Sequence, residues 1–405
     1  MMEQPLFGRR LKELRRAGGL SQAALAGEEI STGYLSRLES GARQPTERVI
    51  TYLAKKLGVD SSAFQTPSGG TSLAQALSIA SSANDDEATE KLVQALEVAG
   101  DEDLLPRWQA LWLVAQHWRR LGRKEEELAC LNELAVLADE LGLPELRCRA
   151  WSSLARCLRG SGRVSESITV ADRAVKLAKE AKLTVPDIGN ALMSLVSAEA
   201  EEGRLPDARA HVDELVELVD KHEGPLKAEA LWSAATVRFR QGEHGAALEL
   251  IERATEGLEG SADLTLWLRL RLAAASLSLQ SDPPRTELAG ARLKEAEAAI
   301  EFVGTTVLRQ ELTTLRAHLA FAEQRYADSR TLLDQLGQDE LRLTYRDRIR
   351  LGVLEGRLMI QEGRPKDGLR KLKELGEESR RAFNIDLSAE IWRILAEELE
   401  NGMKT

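Results

Sequence analysis

Arginine is the residue through which this sequence is best equipped to recognise another molecule. Its guanidinium is a planar fork of donors that fits carboxylates, phosphates and the edge of guanine. Arg37 and Arg43 follow the short polar stretch Ser31-Thr32-Gly33-Tyr34 near the N-terminus, and Arg119, Arg149, Arg156, Arg159, Arg271, Arg350 and Arg357 recur in helical segments further on. Residues able to do covalent or metal chemistry are not arranged for it. No phosphate-cradling G-x-x-x-x-G-K-[ST] loop, G-x-S-x-G elbow, H-E-x-x-H pair or C-x-x-C pair occurs, and His117, His211, His222, His244 and His318 are scattered. Cys130, Cys148 and Cys157 are odd in number and not closely paired, so they read as reduced packing thiols. The expectation is recognition without catalysis, metal or cofactor.

The elements that must position these arginines are helical. The chain has 405 residues, 43% apolar and 30% charged, with only 11 prolines, which predicts two or more all-α domains. The net charge of −10 is unevenly spread. Residues 1–65 hold ten Lys/Arg against seven Asp/Glu, so the acidic excess lies wholly in the remainder. A basic head can approach a polyanion while an acidic body stays outside. No apolar run is long enough to span a membrane and the N-terminus lacks a signal-peptide core, so a cytoplasmic location is expected.

Five short helices are predicted in the head. Phe7, Leu11 and Leu14 mark the first, stopped at Gly18-Gly19; Ser21 caps the second and Ser31 the third, which ends at Gly41; Thr46 starts the fourth, closed by Gly58; a last turn runs from about Asp60 to Phe64. The segment GRRLKELRRAGGLSQAALAGEEISTGYLSRLESGARQPTERVITYLAKKLGV resembles the lambda-repressor/Cro-type helix-turn-helix, the XRE family, over about residues 6–64. Between Ala26 and Leu38 it is one residue shorter than the usual family spacing, and its turn lacks the usual glycine. The resemblance implies double-stranded DNA as partner, with the third helix in the major groove. Leu35 and Leu38 then face the core, while Ser31, Thr32, Gly33, Ser36 and Arg37 can meet DNA. Arg37 is the candidate for base readout, Gly33 permits a close backbone approach, and Gln22, Tyr34 and Arg43 are candidate backbone contacts. For Arg37 a solvated surface charge, and for Tyr34 simple packing, remain the alternatives. The same resemblance implies an ion pair between Arg15 and Glu39 that holds the third helix in place.

Residues 66–72 read as a Pro/Gly/Ser linker, and residues 73–405 repeat. Turns near Gly122, Gly162, Gly203, Gly242, Ser281, Gln324 and Gly363 are spaced by 40, 41, 39, 39, 43 and 39 residues. Extrapolation adds a turn near Asn84, giving eight helix pairs and a capping helix at about 385–401. The units resemble tetratricopeptide repeats with longer helices, an α-solenoid whose first (A) helices line a concave groove. Counting back 13, 10, 6 and 3 residues from each turn gives Trp112, Gln116, Arg119, Arg149, Ser152, Arg156, Arg159, Asn190, Met193, Ser197, Trp232, Thr236, Glu311, His318, Arg350 and Arg357 as groove residues, with Arg271 in the irregular fifth repeat. Seven of these are arginine and only Glu311 is acidic, which suits an anionic ligand; the alternative is that the arginines pair with glutamates of neighbouring helices. Asn190 and Gln116 can bracket a peptide backbone and Trp112 and Trp232 can anchor apolar groups. Head and repeats together resemble the RRNPP group of regulators. That resemblance implies a homodimer in which a peptide or anionic small molecule in the groove changes binding to the operator. A regulator whose repeats bind a partner protein is the second reading, and an enzyme fused to a DNA-binding head the third.

Overall fold

A computed structural model describes residues 4, 6–27, 29–64, 72–83, 85–99, 104–337, 340–382 and 384–402. Of the expected linker at residues 66–72, residues 66–71 lie outside the described residues, as does Asn84 of the extrapolated turn. The chain divides into two compact units, Met1–Gly100 and Asp101–Thr405. All described regular structure is helical, as expected.

In the first unit, α1 (Leu6–Ala17), α2 (Gln22–Ala26), α3 (Thr32–Glu39) and α4 (Glu47–Leu57) precede a 3₁₀ turn at Ser61–Phe64. Their apolar faces close on one core of Phe7, Leu11, Leu25, Leu35, Leu38, Ile50, Leu53 and Phe64. The caps are those the sequence predicts. Ser21 Oγ accepts from Ala24 N and Ser31 Oγ from Tyr34 N, both at 3.1 Å, satisfying amides that open each helix. The missing turn glycine is replaced earlier in the chain. Gly27 ends α2 at φ 59°, where a Cβ would run into the Tyr52 hydroxyl, and that hydroxyl donates to Ala26 O at 2.8 Å. The shortened turn is therefore held from α4. The hairpin α5 (Leu73–Ala83) and α6 (Asp86–Val98) completes this unit.

The second unit is a run of paired helices: α7 (Leu104–Leu121) with α8 (Lys124–Leu141), α9 (Pro144–Gly160) with α10 (Val164–Glu180), and α11 (Val185–Glu201) with α12 (Leu205–Leu218). Next come α13 (Pro225–Arg240) with α14 (His244–Glu256), α15 (Leu264–Gln280) with α16 (Thr286–Val303), α17 (Thr306–Ala322) with α18 (Tyr326–Leu336), and α19 (Tyr345–Gln361) with α20 (Pro365–Arg381). The last helix is α21 (Ile385–Gly402). Among the described residues the second unit thus holds seven helix pairs and a final helix, and α5–α6, in the first unit, is an eighth pair. The first helix of a pair ends on a left-handed glycine at Gly122, Gly162 (φ 78°), Gly203, Gly242 and Gly363, which reverses the chain in two residues; Gln324 (φ 62°) does the same without being glycine, whereas α15 ends on extended Ser281 (φ −69°).

Small residues set the pair spacing. Ala115, Ala155 and Ala235, each seven residues before a turn, and Ala208 and Ala247, each five after one, are buried, as are Leu111, Trp151, Leu192 and Leu231, each eleven before a turn. From α9 onward each A helix packs on the next A helix, whereas successive second helices are not packed neighbours. The A helices are therefore the inner layer of a curved array. The three cysteines are free and buried; burial pushes the Cys130 thiol up to about 12 and those of Cys148 and Cys157 to about 11, so they stay protonated and pack.

Candidate nucleic-acid interface and ligand groove

The recognition surface of the first unit is built on α3. Thr32, Gly33, Ser36 and Arg37 are exposed together while Leu35 and Leu38 are buried beneath them, the split expected from helical spacing. Ser31, at the cap, is also exposed. Arg37 Nε donates to the Gly33 carbonyl of its own helix at 3.3 Å, and the side chain is exposed. No atom would lie within 4 Å of a Cβ at Gly33. Both readings of Tyr34 have a basis: its ring packs against the core and also lies 4.8 Å beneath the exposed Arg43 guanidinium.

Behind α3, Arg15 Nε and Nη2 donate to both Glu39 oxygens at 2.6 and 3.0 Å, with only 11% and 4% of the side chains exposed. The expected ion pair is present. Arg15 Nη1 also donates to Leu20 O at 2.9 Å, so the pair ties α1, the following turn and α3 together. Burial would raise the Glu39 carboxyl, but bonds from Arg15 and Gln22 outweigh it and hold it below the usual range. Gln22, expected at the DNA backbone, donates through its amide nitrogen to Glu39 at 2.7 Å.

In the second unit, a groove of about 860 Å³ lies along the A helices. It brings together Trp112, Gln116, Arg119, Arg156, Arg159, Asn190, Met193, Ser197, Trp232 and Thr236 from the expected positions on α7, α9, α11 and α13. Other expected residues lie elsewhere. Ser152 is buried against α11, its carbonyl accepting from Ser194 Oγ at 3.3 Å, and Ser153 faces the groove instead. Arg149 bonds to Asp187 (2.8 Å), Arg350 to Glu390 (3.5 Å), Arg357 to Glu398 (2.8 Å) and the buried Arg271 to Glu295 (3.0 Å). Three of these four thus pair with a glutamate, as in the alternative reading, and Arg149 pairs with an aspartate. The reason is local: each has a carboxylate on a neighbouring helix within reach. Glu311 and His318 do not line this groove either. Burial, reinforced by Arg350 and Arg357, lowers the His318 imidazole to about 4, keeping it neutral.

The groove is also more mixed in charge than expected. Eight cationic side chains line it, and Glu127, Glu201 and Glu229 line it too. Burial, and after it the charge of Arg119, lowers the Arg156 guanidinium, with Glu229 and Glu127 opposing. Burial raises Glu127 and Glu229 despite both of those arginines. Arg159 Nε is buried with no partner among the described residues. The sequence reading missed Arg240, Arg269 and Arg346. Arg269 stacks at 4.8 Å over Trp232, and the other two converge from distant repeats, a meeting that periodicity within one repeat does not encode.

Comparison with known proteins follows the same division. Residues 6–64 match the helix-turn-helix domain family, and residues 153–221 and 195–262 match the tetratricopeptide repeat family. No curated relative matches. Among solved structures, the chain is similar to the Rap conjugation gene regulator of the plasmid pLS20 in complex with the Phr* peptide, at 14% identity over 96% of this chain and 97% of that one, TM-score 0.53. It is likewise similar to a Rap protein complexed with competence and sporulation factor, at 8% identity over 98% of each chain, TM-score 0.53. At such identities the likeness is one of fold. The chain thus joins a helix-turn-helix DNA-binding domain to tetratricopeptide-like repeats, the make-up of a transcription regulator. Among the described residues no helix is long and apolar enough to cross a membrane.

Proposed function

We propose that this chain is a sequence-specific transcription regulator that reads an operator through α3 and is controlled by a peptide or anionic small molecule held in the repeat groove. The observation that carries the sensing role is the groove itself: two tryptophans, Asn190, Gln116 and a cationic majority gathered on one face of an otherwise acidic unit. Trp112 and Trp232 supply apolar anchoring area, and the arginines supply forks for carboxylate or phosphate. A chain of this fold occurs in complex with a peptide in the conjugation gene regulator. We assign residues 1–65 to DNA binding, 66–72 to a linker and 73–405 to the repeats, in a cytoplasmic homodimer. Two heads on a symmetric body would read half-sites about one helical turn, or a multiple, apart. The repeats holding a partner protein is the second reading, favoured by exposed apolar side chains outside the groove such as Val136 and Phe302.

The test is native mass spectrometry of protein purified from its host, followed by titration of the retained molecule into wild type and a Trp112→Ala/Arg156→Ala variant while operator affinity is measured. Loss of binding in the variant, with a change of operator affinity in wild type, is the expected result. Equal binding to both proteins removes the groove from the mechanism and leaves the partner-protein reading.

A further inference from the structure

At one end of the groove two arginines from distant repeats share a single carboxylate. Arg240, the last residue of α13, donates through Nε and Nη2 to both oxygens of Asp386 at 2.9 and 2.8 Å. Arg346, in the first turn of α19, reaches the same oxygens at 3.3 and 2.8 Å and also Asn384 Oδ1 at 3.2 Å. Arg240 further bonds to Ala200 O. The three charged side chains are 8%, 16% and 22% exposed. Both arginines line the groove, and Asp386 reaches them from the start of α21. Yet α13 and α21 are not packed neighbours: the contact across 146 residues of chain is made by side chains.

We infer that Arg240 and Arg346 form an oxyanion subsite of the groove, that Asp386 occupies it in the unliganded chain, and that a ligand carboxylate or phosphate which displaces Asp386 releases α21. The inference rests on the groove reading above and specifies how occupancy is sensed. Two guanidinium groups around one carboxylate carry an uncompensated positive charge, so a dianion, or a carboxylate beside a second acid, complements them better than Asp386 does. Asp386 holds its place by tethering, which gives it a high effective concentration. A monoanion with no other contact competes poorly against it. A ligand that also engages Trp112, Asn190 and Arg156 gains what it needs, which selects a molecule long enough to span the groove.

The test uses the full-length chain with citrate and pyrophosphate as probes. Binding is followed by calorimetry and α21 by backbone hydrogen exchange. Asp386→Asn should bind the preferred probe at least ten-fold tighter than wild type, and adding Arg240→Gln should erase that gain. Saturating probe should speed exchange in α21 of wild type. Preference for citrate or pyrophosphate tells carboxylate from phosphate. Arg346→Gln covers the case in which Asp386→Asn does not fold: it should speed α21 exchange without probe and weaken probe binding. Equal affinity of wild type and Asp386→Asn, or α21 exchange indifferent to both probe and Arg346→Gln, overturns the subsite. Operator affinity measured on the same samples separates the two claims: the expected binding and exchange with unchanged operator affinity leaves the subsite standing and refutes the sensor.

Discussion

Substituting Gly27 by alanine should weaken the DNA-binding domain more than any propensity argument would suggest. Gly27 sits at φ 59° and ψ −141°, a backbone region that costs an L-residue about 1–2 kcal/mol. Its new Cβ would also strike the Tyr52 hydroxyl, which must swing away from Ala26 O and leave that part-buried acceptor with only a long 3.4 Å bond from Ile30 N. Losing that bond adds about 1–2 kcal/mol, for a total of about 2–4 kcal/mol. This is a large share of the roughly 5–15 kcal/mol that stabilises a domain. The two contributions separate in a double-mutant cycle. In a Tyr52→Phe background the hydroxyl is gone, the clash disappears, and Gly27→Ala should cost only the backbone strain, a coupling of about 1–2 kcal/mol. All seven tryptophans lie beyond residue 100, so tryptophan fluorescence does not report on this domain. Hydrogen exchange of amides in α2 to α4 of the full chain is the suitable measurement. An identical cost in both backgrounds would refute the claim that Tyr52 braces the shortened turn.

Three further outcomes are expected. Arg37→Ala should cost about 1–3 kcal/mol on the cognate site and relax one base preference, while Arg43→Ala should weaken all sequences alike and reduce the salt slope; binding unchanged in both variants would remove α3 as the reading element. Burial, with Asp347 adding and Arg269 opposing, raises the Glu311 carboxyl to about 7, so the folded chain holds a proton that the unfolded chain gives up near pH 4. Stability then falls as pH rises through that window, and Glu311→Gln should be near neutral at about pH 4 but raise Tm at about pH 8; equal Tm shifts at both would refute it. Sedimentation of the full chain at micromolar concentration should give a dimer, and a strict monomer both free and on DNA would exclude the two-headed reading.

The helices were legible because their causes are local. Ser21 and Ser31 cap as their side-chain chemistry dictates, and Leu35 and Leu38 turn inward by spacing alone. The glycine turns at 122, 162, 203, 242 and 363 repeat because these units need the same left-handed reversal. Counting from those turns located Trp112, Gln116, Arg156, Asn190 and Trp232 in one groove. It misplaced Arg149, Arg350 and Arg357 because position within a helix says nothing of the carboxylate that a neighbouring repeat offers. Asp187, Glu390 and Glu398 lie 38 to 41 residues away, one repeat on. Gly27 was overlooked since its role depends on Tyr52, and Arg240 and Arg346 since their meeting depends on the curvature accumulated over several repeats.

That meeting changes how the array should come apart. In an open stack every unit leans only on its neighbours, and such stacks fray from both free ends. The link from α13 to α21 makes a closed circuit of the C-terminal repeats, so the last helix cannot peel away without also breaking a bond to a repeat far earlier in the chain. The repeats from α13 onward should then melt as one cooperative block under heat or load.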